Sequence, residues 1–214
     1  MQTTLLLIRH GQSETNLTQS FAGHLDISLT ALGLQQAQRT AEFIIHTYDV
    51  DAVYHSDLKR TVQTGTPVAE MAKVPFLPDR NLREINAGLW TGLTYFAIEE
   101  KFPEEYGVWL TDIGNSRPTE GESVAQLARR IEQTLRRIAE ENPGKTVVIA
   151  THATPIRAMQ CILSGLPLSR MKDVPWATNA SVTEILYQDG CFHLGKVSQD
   201  AHLGELVSAL PANV

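Results

Sequence analysis

The sequence predicts an α/β fold, a three-layer sandwich whose mostly parallel central sheet is flanked by helices and finished by an antiparallel edge strand. Three observations carry this. Short continuous apolar runs at 5–8 and 147–150 have the composition of strands buried on both faces. Segments of helical periodicity alternate with them. Two final alternating segments enclose Asp189-Gly190, the two-residue turn of a β-hairpin.

The first apolar run, LLLI at 5–8, leads straight into Arg9, His10 and Gly11. From Thr30 the segment TALGLQQAQRTAEFIIH has helical spacing, with Leu34, Ala37, Ala41, Ile44 and Ile45 on one stripe and Thr30 as N-cap. DAVYHSD at 51–57 is a second strand. LKRTVQTGTPVAEMA follows as a helix in which Gly65 and Pro67 predict a kink or a break. Residues 76–85 are expected to be extended, and NAGLWTG to be a turn-rich loop. Residues 99–121 contain Pro103, Gly107, Gly114, Pro118 and Gly121, and are expected to form an irregular insertion with room for short helices. Ser123 and Gln126 make a capping box for an amphipathic helix whose apolar face is Val124, Leu127, Ile131, Leu135 and Ile138. Asn142-Pro143-Gly144 stops it. TVVIATH at 146–152 is the next buried strand, and Pro155 is placed to start the helix PIRAMQCIL.

At 214 residues, 43% hydrophobic and 20% charged, the chain fits one domain with a substantial core. Its formal charge of -6 argues against a nucleic-acid partner, which calls for a basic face. Cys161 and Cys191 lie far apart without metal-ligand spacing, as expected of reduced thiols in a cytosolic protein. The N-terminal apolar run is too short for a signal segment or a membrane span. The expectation is a cytoplasmic protein with no membrane partner.

In open α/β sheets ligands sit beyond the carboxyl ends of the strands. Arg9 and His10 end the first strand, Ser56 and Asp57 the second with Arg60 one turn further on, and His152 the third. One such residue alone is ordinary, either solvated or paired with a carboxylate. Four basic side chains reaching one sheet edge from three elements are not. Arginine presents a planar fork matched to phosphate oxygens, so two arginines with two imidazoles suit a phosphoryl group. A divalent metal is the competing occupant, because histidine is the commonest ligand; the arginines would repel it, and Asp57 is ambiguous as a ligand. Glu84, in LREINAGLWTG, has two readings. It is a surface carboxylate paired with Arg83 or Arg80, or a general acid for a leaving alkoxide, which requires partial burial near Trp90.

IRHGQSETN (8–16), HSDLKRTVQT (55–64), LREINAGLWTG (82–92) and ATHATPIR (150–157), in this order, resemble the histidine phosphatase superfamily, the family of cofactor-dependent phosphoglycerate mutases and their phosphatase relatives. NASVTEI (179–185) is similar to that family's last core strand. The resemblance implies that His10 is the nucleophile and forms a phosphohistidine. Arg9, Arg60 and His152 would clamp the phosphoryl oxygens, with Asn16 adding a donor, and Glu84 would protonate the leaving group. His10 must be neutral to attack, with its ring fixed by a hydrogen bond that leaves the other nitrogen free. Relatives commonly carry two glycines after the second histidine. Here Ala153 and Thr154 stand there, with the Ala153 N–H still available to phosphate at a helix N-terminus and the Thr154 hydroxyl as a further group.

The resemblance leaves the reaction open. A mutase must keep its phosphoenzyme from water and rebind the intermediate, which calls for a basic substrate lid. Residues 99–121 instead carry Glu99, Glu100, Glu104, Glu105, Asp112 and Glu120 against Lys101 and Arg117, together with Phe102, Tyr106 and Trp109. The expectation is a metal-independent phosphatase of a small-molecule phosphomonoester that needs no cofactor. It would be one domain, 1–214, with an insertion or lid at about 93–121. Phosphoglycerate mutase-type transfer and catalytically weak binding of phospho-ligands are the alternatives. The oligomeric state, a homodimer included, is not legible in the sequence.

Overall fold

A computed structural model describes residues 1–209. One six-stranded sheet has the order β3-β2-β4-β1-β5-β6, built from β1 (Thr3–Arg9), β2 (Ala52–His55), β3 (Phe76–Pro78), β4 (Thr146–Thr151), β5 (Val182–Gln188) and β6 (Cys191–Leu194). The first four strands run parallel; β5 is antiparallel to β1, and β6 is antiparallel to β5. The helices are α1 (Glu14–Leu17), α2 (Ala31–Thr47), α3 (Lys59–Ala72), α4 (Tyr95–Lys101), α5 (Pro103–Thr111), α6 (Val124–Glu141) and α7 (Ala153–Leu163).

The continuous apolar runs follow from burial on both sheet faces. Leu5 and Leu7 of β1 and Val147 and Ile149 of β4 join the cluster shared with α6 and α7. Leu6, Ile8 and Val148 alternate into a second cluster with Ala41 and Ile44 of α2 and Val68 and Ala69 of α3. These clusters are the two interfaces of the three layers. At the closing hairpin, Asp189 and Gly190 take φ of 52° and 80°, the left-handed pair that a two-residue hairpin turn requires.

Helix signals were legible where a cap and a stripe coincide. Ser123 Oγ accepts from Gln126 N, Gln126 Oε1 accepts from Ser123 N, and all five expected apolar residues of α6 are buried. Thr30 caps α2 by accepting from Gly33 N. The α2 stripe, however, is rotated: Leu34 is exposed and Ile45 only partly buried, while Gln36 and Thr40 are buried. The cause is a polar docking face, since Gln36 Nε2 donates to Leu206 O and Thr40 Oγ1 to Ala180 O.

Three expectations are corrected. Helix α3 runs through Gly65 and Pro67 without a break. Gly65 lies against the sheet, where a Cβ would stand 3.0 Å from the Phe76 ring and 3.3 Å from Ala150 Cβ. Of residues 76–85 only β3 pairs as a strand; Asp79 and Arg83 are extended on either side of a 3-10 turn, Arg80–Leu82, capped by the Asp79 side chain. Helix α7 starts at Ala153 with His152 as N-cap, so Pro155 falls inside the first turn, where its missing N–H costs no helical bond. Residues 93–121 hold α4, α5 and a 3-10 turn, and their Ile98, Tyr106, Trp109 and Ile113 enter the same apolar cluster as α6 and α7.

The loop after β1 packs directly on α2. A Cβ on Gly11 would stand 2.4 Å from Gly33 O, and one on Gly33 would stand 2.1 Å from Gln12 O. Gly33→Ala is therefore expected to lower stability by about 1–3 kcal/mol through overpacking. Gly107→Ala, inside α5 with nothing within 4 Å of its Cβ, is expected to raise it by about 0.5–1 kcal/mol. Urea unfolding of both variants checks the pair.

Candidate active site

The parallel register sets Arg9 beside Thr151 and His55 beside Ala150, so β1, β2 and β4 end at one sheet edge. Arg9, His10, Ser56, Arg60 and His152 are all buried there. The rings of His10 and His152 meet edge to face with centroids 5.3 Å apart. Arg9, His10, Asn16, Glu84, Ala153 and Thr154 line one pocket. Arg60 and His152 stand behind that lining.

His10 Nδ1 is 2.8 Å from Gly11 O, and a carbonyl can only accept, so this nitrogen carries the proton and Nε2 keeps its lone pair. Burial, with Arg60 and Arg9 nearby, pushes His10 well below its ordinary 6.5. The ring is thus neutral at neutral pH. His152 is depressed in the same way by burial, Arg60 and His10. Arg60 Nε donates to His152 Nδ1 at 3.2 Å, and His152 Nε2 lies 2.9 Å from Ser56 Oγ, which assigns its proton to Nε2.

Both arginines are held by backbone carbonyls. Arg60 donates to Gly23 O and Leu25 O, fixing the loop that forms one pocket wall. Arg9 Nη1 donates to Ala177 O at 2.5 Å, while its buried Nε has no partner among the described residues. Burial lowers each to about 10, against the raising effect of Glu84, so both remain cations at neutral pH.

Glu84 is buried, and its carboxylate accepts from Ile85 N at 2.8 Å and Thr154 N at 3.3 Å. The surface-pair reading is therefore excluded: Arg83 is taken by Asp57 through two bonds of 2.5 and 2.6 Å. Asp57 is directed to that pair, and Arg83 holds its carboxyl below the ordinary carboxylate range. Trp90 does not line the pocket; its aromatic walls are Phe21, Tyr95, Trp109 and Trp176, with Trp90 packed edge-on behind Phe21 and Trp109. Ala153 and Thr154 lie in α7, so neither needs glycine's freedom. The Thr154 N–H is used by Glu84, and Ala153 is the residue at the pocket with no such bond. Among the described residues no three His, Cys, Asp or Glu side chains group as metal ligands.

Sequence reasoning missed Asn179, Ser56 as partner of His152, and the walls Phe21, Tyr95 and Trp176. Asn179 Nδ2 donates to His10 O at 3.1 Å and to Asn16 Oδ1 at 3.2 Å, and its Oδ1 accepts from Ser208 Oγ. Asn16 Oδ1 also accepts from Ser13 N, so its NH2 group is left for the pocket. The signal for Asn179 was its place at the start of the NASVTEI block. Trp176, in an irregular segment, had none. None of the acidic side chains of residues 99–121 lines the pocket, so the acidity of that segment does not bear on the substrate. Glu99, Glu100, Glu104 and Glu120 are exposed, and Glu105 accepts from the N–H and hydroxyl of Thr119.

Fold and site define an α/β protein in which two buried guanidinium groups, Arg9 in the pocket lining and Arg60 behind it, flank a neutral histidine. The family model of the histidine phosphatase superfamily (branch 1) matches residues 5–200, and the chain belongs to that superfamily. Phosphoserine phosphatase 1 of Hydrogenobacter thermophilus is 31% identical over 94% of each chain. Phosphoglycerate mutase-like protein 4 of Arabidopsis thaliana is 36% identical over 72% of this chain and 68% of its own. The solved structure of a mycobacterial glucosyl-3-phosphoglycerate phosphatase with VO3 superposes with a TM-score of 0.83 at 27% identity, covering 92% of this chain and 99% of that one. No helix among the described residues is long and apolar enough to cross a membrane.

The depressed histidines have a consequence for stability. Below pH 6.5 the unfolded chain binds protons that buried His10 and His152 refuse, so stability falls as pH falls. Each contributes up to about 1.4 kcal/mol per pH unit below that point. Unfolding free energy measured between pH 7.5 and 5.5 is expected to decline, and His10→Asn to remove about one proton from the slope.

Proposed function

We propose that the protein is a metal-independent phosphatase that hydrolyses small phosphomonoesters through a phosphohistidine on His10. The observation that carries this is the neutral His10 ring, tied through Nδ1 to Gly11 O with Nε2 free, in a pocket that also holds Arg9 and Glu84. Phosphoryl transfer asks mainly for positioning and charge stabilisation, which buried guanidinium groups supply. Nε2 attacks phosphorus in line; the P–O ester bond breaks as Glu84 gives its proton to the departing alkoxide. Water then attacks the phosphohistidine as Glu84 takes a proton from it. The P–N bond breaks, releasing inorganic phosphate and restoring the lone pair.

Arg9 Nε, the Asn16 NH2 group and the Ala153 N–H are the donors available at the pocket wall. Each Arg60 Nη keeps a second N–H beside the one given to a loop carbonyl, and the His152 Nε2–H is the donor that would turn from Ser56 Oγ to a phosphoryl oxygen. Hydrolysis is favoured over mutase chemistry because Arg9 is the one cationic side chain in the lining. A mutase intermediate needs a second cationic seat for its second phosphate. The phosphatase relatives support the same reading, and Tyr95 and Trp109 bring residues 93–121 to the pocket as a lid over the leaving group.

A panel of phosphomonoesters assayed for phosphate release in EDTA tests the proposal, with micromolar vanadate as inhibitor. Wild type is expected to turn over some member and to take up acid-labile phosphate; His10→Ala is expected to lose the label and at least 1,000-fold in kcat, about 4 kcal/mol. Interconversion of phosphoglycerates without net phosphate release, or restoration of an EDTA-silenced activity by zinc, would overturn it. Asn179→Ala is expected to raise KM several-fold with a smaller effect on kcat, because Asn16 loses the bond that orients its NH2 group. Steady-state kinetics on the same substrate separates the two.

A further inference from the structure

The pocket lining carries two kinds of side chain. One is polar, with Arg9 and His10. The other is aromatic, and in it Trp109 and Trp176 stand with ring planes 28° apart and centroids 6.4 Å apart. Trp176 lies in an irregular segment, with no strand or helix to hold it. Arg157 of α7 supplies the support. Its Nε donates to Val174 O at 2.7 Å and its Nη2 to Lys172 O at 3.1 Å, while its guanidinium carbon lies 4.0 Å from the centroid of the Trp176 ring. Arg157 is buried and lowered to about 10 by desolvation, with no ion pair among the described residues to account for it. The next residue, Ala177, gives its carbonyl to Arg9. One short segment therefore joins the aromatic wall to the phosphate-binding arginine.

Resting on the phosphatase reading, we propose that Trp176, held by Arg157 and backed by Trp109, is the seat of the alcohol part of the substrate, and that this part is a flat, uncharged ring system. A buried arginine spent on two carbonyls and one ring face is a costly way to fix a loop unless the ring's position matters. Arg157 covers one face of the Trp176 ring and Trp109 stacks beside it, so a substrate ring packs offset or edge-on against the indole surface left toward the pocket. A cationic alcohol such as choline is disfavoured, because the guanidinium 4.0 Å from the ring already engages its quadrupole and repels a second cation. An anionic alcohol finds no cation in the lining beyond Arg9, which the phosphoryl group already engages.

The test compares four esters of primary alcohols, so that leaving-group strength changes little: 2-naphthylmethyl phosphate, propyl phosphate, phosphoserine and phosphocholine. Wild type is expected to favour the naphthylmethyl ester at least ten-fold in kcat/KM. Trp176→Ala is expected to remove that preference, lowering kcat/KM for the naphthylmethyl ester at least ten-fold more than for propyl phosphate, Trp176→Phe to retain most of it, and Arg157→Met to raise KM for the naphthylmethyl ester with kcat little changed. Equal or better turnover of phosphoserine or phosphocholine, or an equal loss on every ester in Trp176→Ala, overturns the proposal and leaves the phosphatase reading standing. Competition by the non-hydrolysable naphthylmethyl- and propylphosphonates against vanadate binding to the wild type is the second measurement, independent of any variant's folding. Equal affinity of the two overturns the aromatic seat. Hydrolysis of no phosphomonoester, here or in the wider panel, overturns the phosphatase reading and this inference together.

Discussion

The parallel pairing of β1 with β4 is the constraint on which the site depends. It aligns Arg9 with Thr151, so that the next residues on each strand, His10 and His152, leave the sheet side by side. A slip of one residue would turn Leu5 and Leu7 toward the α2–α3 side and Leu6 and Ile8 toward the α6–α7 side. It would equally reverse the side on which Arg9 and His10 emerge. Core packing and site geometry are fixed by the same register, which is why the most buried strand also carries the candidate nucleophile.

Burying four basic side chains in one place needs compensation, and the backbone provides much of it. Gly11, Gly23, Leu25 and Ala177 offer carbonyl oxygens to His10, Arg60 and Arg9. These bonds hold the arginines as cations while the two histidines between them stay neutral. The result is a positive field around an uncharged ring, the combination that attracts a phosphate dianion without protonating the group that would attack it. The loops bound by those carbonyls form the pocket walls, so charge stabilisation and shape come from the same contacts.

Around this centre the molecule sorts residues 93–121 by face. Trp109 and Tyr106 turn inward and merge with the main core, while Glu99, Glu100, Glu104 and Glu120 face outward. What faces the candidate substrate is aromatic, and one wall of it, Trp176, comes from a segment more than fifty residues downstream, anchored through a helix on the far side of His152.

The apolar strands, α6 with its capping box, the hairpin and the place of Arg9, His10, Arg60 and His152 at or just past strand ends were all legible in local sequence; the parallel pairing then brought those ends to one edge. A two-faced strand needs an unbroken apolar run, a cap needs its Ser and Gln three residues apart, and a left-handed turn needs Asp-Gly. Tertiary structure decided what depends on neighbours distant in the chain. It rotated the α2 stripe to meet polar loops, kept α3 whole across Pro67, and drew Asp57 to Arg83. It placed Asn179 behind Asn16 and set Trp176 against Arg157. Each of these rests on a partner that no window of sequence contains, because a buried polar group or an unsupported ring takes its position from whatever long-range contact satisfies it.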